Sequence, residues 1–142
     1  MRLLLMLCGL LLATPFILAA PAGAQQSWVV GSWYGYGQPN DKSQMWIGTA
    51  SADGKFHVHH RACFQGKARD QLQSGTWSLK GDIFIIRIEQ VDGQAVQAQD
   101  DVYRVLSHSD TRQTYRYEAT GFVFNSRKVD GKFQMPPCDL AS

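Results

Sequence analysis

Apolar and polar residues alternate with a period of two through most of the chain after its first 24 residues. The pattern is cleanest over residues 55–64. There Phe56, Val58, His60, Ala62 and Phe64 fall on one face, and Lys55, His57, His59, Arg61 and Cys63 on the other. The first set is expected to face an interior. Such runs are separated by Ala52-Asp53-Gly54, Gln65-Gly66, Lys80-Gly81-Asp82, Asp92-Gly93, Thr120-Gly121 and Asp130-Gly131, residue types that accept the positive φ angles of tight turns. Cutting there predicts strands near residues 27–36, 43–50, 55–64, 67–79, 82–91, 94–106, 112–119 and 122–129, with no helix of convincing length.

Consecutive strands joined by tight turns make a meander, and eight of them can hide their edges by closing on themselves. The predicted fold is therefore all-β: an eight-stranded antiparallel up-and-down barrel. A two-layer sandwich is the alternative, and the chain lacks the long crossing connections that Greek keys use. The same parity sends Phe84, Ile86 and Ile88 inward, followed by Tyr103 and Val105, then Tyr115, Tyr117 and Ala119. Each buried tyrosine hydroxyl and the His60 imidazole needs a hydrogen-bonding partner. A ligand-filled or wet cavity meets that need, as do hydroxyls that reach the barrel mouth.

The first 24 residues read differently. Arg2 precedes an apolar run from Leu3 to Ala20, Pro15 interrupts it, and Ala22-Gly23-Ala24 offers the small-x-small pattern of a cleavage site. Residues 1–24 are expected to be a signal peptide and residues 25–142 a single domain, periplasmic or secreted, without a stable membrane span after cleavage. An uncleaved anchor is the alternative. Removing the leader costs one charge, Arg2, and leaves 13 Lys and Arg against 12 Asp and Glu in 118 residues. Near-neutrality argues against nucleic acid as a partner.

Cys8 leaves with the leader, so Cys63 and Cys138 are the only pair remaining. An oxidising compartment favours a disulfide between them, with two free thiols as the alternative. His57-x-His59 has metal-ligand spacing, but both lie on the outward face, and the one other histidine outside that strand, His108, sits near a predicted hairpin tip; no metal is expected. The chain has no G-x-S-x-G, no HExxH and no phosphate-cradling glycine loop. Asp100 and Asp101 are adjacent, hence on opposite strand faces, and do not form an acid–base pair. Neither catalysis nor a cofactor is expected.

Two segments share the form G-[ST]-W: Gly31-Ser32-Trp33 and Gly75-Thr76-Trp77. The first, at the start of an antiparallel barrel, resembles the lipocalin signature. That resemblance implies that Gly31 permits a close approach, that Trp33 packs across the closed end, and that a cation from the last strand, matched here by Arg127, covers the indole. It also implies a disulfide strapping the C-terminal tail to the outside of the barrel, which Cys63 and Cys138 would supply. The family's T-D-Y motif is absent.

The implied function is non-enzymatic binding of a small hydrophobic molecule, with Trp33, His60, Phe84, Ile86, Tyr103, Tyr115 and Tyr117 as the interior candidates. A second expectation is a protein-interaction module, an envelope protein or protease inhibitor, whose barrel is plugged and whose outer surface exposes Trp28, Tyr34, Tyr36 or Trp46.

Overall fold

A computed structural model describes residues 28–37 and 41–138; the expected leader lies outside the described residues. Eight strands follow one another in chain order: β1 (Gly31–Gly37), β2 (Asp41–Ala50), β3 (Lys55–Phe64), β4 (Lys67–Lys80), β5 (Ile83–Val91), β6 (Gln94–His108), β7 (Arg112–Tyr117) and β8 (Val123–Val129). Every neighbour pairs antiparallel, and β1 also pairs with β8, closing the barrel. The meander expected from the turn signals is the observed topology, and no described residue is α-helical.

Turn chemistry sets this order. Gln65-Gly66 and Asp92-Gly93 each place two successive residues at positive φ, the conformation that lets a two-residue hairpin follow the twist of its strands. The repeated Asp-Gly-Lys-Phe tetrapeptide serves one local purpose twice: Asp53 Oδ1 accepts from the Lys55 amide at 3.2 Å and Asp130 Oδ1 from the Lys132 amide at 2.9 Å. Both are turns closed by the aspartate side chain.

Among the described residues two apolar clusters form, one on each side of the barrel wall. The inner one packs Val29, Ala50, Phe56, Val58, Trp77, Ile86 and Ile88 at the closed end. Both G-[ST]-W tryptophans close that end. Trp33 Nε1 donates to the Val29 carbonyl at 2.8 Å and Trp77 Nε1 to the Ser51 carbonyl at 2.9 Å, so each indole is packed without losing its hydrogen bond. Trp28 stacks on His108, with ring centroids 3.9 Å apart.

The outer cluster lies under the C-terminal tail. Tyr34 and Met45, each 2% exposed, pack with Met135 on the outside of β1 and β2, with Tyr36, Ile47 and Phe133 around them. The Cys63–Cys138 disulfide ties the tail down, with Cα atoms 5.3 Å apart. Closing a 75-residue loop restricts the unfolded chain by about 4.5 kcal/mol in the loop-entropy description.

Several local expectations are corrected. The first strand begins at Gly31 instead of residue 27, because Trp28 to Val30 turn across the closed end. Phe64, expected inward, is 75% exposed at the last position of β3. Ala119 is exposed in the turn after β7. A register shift between Ile88 and Gln90 reverses the parity of β5 near its end, so Val91 packs on the inner core.

Candidate functional site

The inner cluster does not fill the barrel. Beside it lies a cavity of about 300 Å³, at the lower end of the size range of small-molecule sites. Alternation decides what lines it. Trp33 comes from β1, Trp46 and Gly48 from β2, Val58 and His60 from β3, Phe84 and Ile86 from β5, Tyr103 from β6, Tyr115 from β7 and Phe124 from β8.

Six of the seven interior candidates, Trp33, His60, Phe84, Ile86, Tyr103 and Tyr115, line this one cavity. Tyr117 is not among its lining residues, and its hydroxyl donates to Asp101 Oδ1 at 2.9 Å. The aromatic rings form a belt: Tyr103 lies 5.3 Å from Tyr115 and 5.0 Å from Tyr117, with Trp46 and Phe124 about Tyr115 at 6.2 and 5.9 Å. Glycine makes room for it. A Cβ on Gly35 would overlap the Trp46 indole, so the missing side chain lets that ring lie against β1.

The wall also carries polar groups, among them His60, Gln73, Asp101 and Gln113. Burial raises the phenol pKa values of Tyr103 and Tyr115 well above the ordinary value, and the hydrogen bond to Asp101 raises that of Tyr117. Burial also pushes the His60 imidazole below its ordinary value, with Gln73 and the Asp101 carboxylate pulling the other way. Near neutrality the ring therefore offers one donor and one acceptor. Gln113 Nε2 and Ser126 Oγ are buried without a partner among the described residues; they are cross-strand neighbours, and Gln113 lines the cavity.

Asp101, considered in the sequence only as half of an unsuited acid–base pair, is a residue of the cavity wall. It is separated from Asp100 by strand parity: Asp100 points out and pairs with Arg87 at 2.9 Å, while Asp101 faces in. The only signal in the sequence was its two-residue spacing from Tyr103.

The cation over Trp33 is also corrected. The β1–β8 register sets Trp33 opposite Lys128 and Tyr34 opposite Arg127. Lys128 Nζ accordingly lies 5.2 Å from the Trp33 ring inside the wall, while Arg127 sits outside over Tyr34 and Phe133 at 5.2 and 4.7 Å. Gly31 still has the role the signature implies, because a Cβ there would come within 2.7 Å of Lys128 Cε.

On the outer face one of the H-x-H histidines, His59, belongs to an ion-pair array. His59 Nε2 lies 3.1 Å from Asp70, and Arg61 grips the same carboxylate through two nitrogens at 2.7 Å each. Arg61 also reaches the Met135 and Pro136 carbonyls at 3.5 and 3.4 Å, pointing at the tail. No group of three metal-ligating side chains occurs among the described residues. The exposed aromatic patch of the interaction-module expectation is not formed: Trp46 lines the cavity, Tyr34 and Tyr36 lie in the cluster beneath the tail, and Trp28 stacks on His108.

No protein-family model matches the chain, and no curated protein matches it. The closed eight-stranded antiparallel barrel is consistent with a lipocalin-like fold.

Proposed function

We propose that the protein is an exported, non-enzymatic carrier, lipocalin-like in kind, that holds a small and mainly apolar molecule inside its barrel. The observation that carries this reading is the cavity of about 300 Å³ whose walls are mostly aromatic and aliphatic side chains. A molecule burying about 300 Å² of apolar surface gains about 7 kcal/mol at roughly 25 cal/mol per Å², before ordering costs. That magnitude corresponds to micromolar affinity at best. The leader-like sequence of residues 1–24 and the Cys63–Cys138 disulfide support export to an oxidising compartment.

Native mass spectrometry of protein gently isolated from such a compartment tests the carrier role. A non-covalent adduct lost on denaturation is the expected result. Protein recovered empty from every preparation, and unable to take up an apolar dye, would contradict it.

A further inference from the structure

The cavity wall carries one carboxylate that the packing of the barrel does not require. Asp101 Oδ1 accepts from Tyr117 at 2.9 Å, and an asparagine carbonyl would accept that bond as well without bringing a charge indoors. An unpaired carboxylate beside apolar walls is costly. No cation compensates it among the described residues: Arg61 is turned to Asp70, Lys128 lies over Trp33, and Asp101 itself forms no ion pair. Tyr117 holds it by that hydrogen bond, Tyr103 lies near enough to feel its charge, and Tyr115 packs 5.3 Å from Tyr103; the faces of such rings present negative electrostatic potential.

We propose that the bound molecule is an organic cation, a small amine with an aromatic or aliphatic body, whose ammonium group sits at Asp101 within the tyrosine belt. This rests on the carrier reading and narrows it. The body of the guest would lie toward Phe84 and Ile86, where the wall is apolar. The ammonium would donate charge-assisted hydrogen bonds to the carboxylate and gain from the adjacent ring faces. A carboxylic acid of equal size would bring two negative charges together and be rejected.

Three probes of nearly equal size separate the possibilities by calorimetric titration at pH 7: 2-phenylethylamine, 2-phenylethanol and phenylacetate. The expected order is amine about tenfold or more tighter than alcohol, with the acid weakest. Asp101→Asn should bring the amine down to the level of the alcohol, and because asparagine keeps the Tyr117 bond the barrel should persist by circular dichroism. Equal, saturable binding of amine and alcohol to the unmodified protein would overturn the charge preference while leaving the carrier reading intact. Absence of binding by all three probes would count against both.

Discussion

At the scale of single residues, the interior is shaped as much by missing atoms as by those present. Gly75 stands at a register shift between β4 and β5, where a Cβ would collide with the Arg87 carbonyl oxygen. Since that neighbour is backbone and cannot rotate away, Gly75→Ala should cost about 3 kcal/mol in chemical denaturation. An unchanged midpoint would mean that the bulge relaxes freely. His60 supplies a pH test. Its folded pKa is lowered by burial, so below its ordinary value of about 6.5 the unfolded chain binds the proton more readily, and stability falls as pH drops through that value. Replacing His60 with Gln should remove this slope between pH 7 and 5, which denaturant titrations at both values would measure. Parity made His60 and the tyrosines legible in the sequence. Asp101 was hidden because its neighbour Asp100 drew it into a question about catalytic pairs, and the cation over Trp33 was missed by one residue because the pairing of β8 with β1 cannot be counted from composition or turns.

At the scale of elements, the eight strands were legible because each turn carries its own chemistry, and no strand depends on a long connection. What was not legible lay at their ends. Phe64 is the last residue of β3 and Ala119 lies beyond the end of β7, so inward parity there meets no core, and the bulge near Glu89 resets the parity of β5. The tail is the other element that local patterning could not place, since its partners Tyr34 and Met45 lie about 90–100 residues away in sequence. Replacing both Cys63 and Cys138 with Ser should lower stability by about 2–4 kcal/mol and expose Tyr34 and Phe133 to the solvent. Thermal unfolding and proteolysis of the tail check this, and an unaltered melting temperature would show that apolar packing alone holds the tail. The outer array adds an acid-sensitive contact. Arg61, with His59, holds the Asp70 pKa down to about 2, so its contribution is complete above the ordinary carboxylate value near 4 and is lost as pH falls toward 2. Because the pair is partly exposed, the effect should be small and screened by salt; comparing Asp70→Asn with the parent protein at pH 5 and pH 2.5 isolates it.

At the scale of the whole molecule, a neutral, aromatic-rich domain has closed into a barrel whose closed end is plugged by two tryptophans and whose middle is left open. The leading expectation of a container and the alternative of a plugged barrel with an aromatic outer patch differ in where Trp46, Tyr34 and Tyr36 reside. One of these lines the cavity and the others lie under the tail, an arrangement that favours the container. The most direct test of that claim is a fluorescence titration with the neutral apolar dye N-phenyl-1-naphthylamine, run in parallel on the parent protein and on Ala62→Trp. Ala62 lines the cavity and is itself exposed, so tryptophan there should obstruct entry without disturbing the inner core. Saturable uptake of about one dye per chain at micromolar concentration, abolished by Ala62→Trp with its melting temperature unchanged, is the result predicted. Absence of saturable uptake by the parent protein, or equal uptake by both, would contradict an interior binding site.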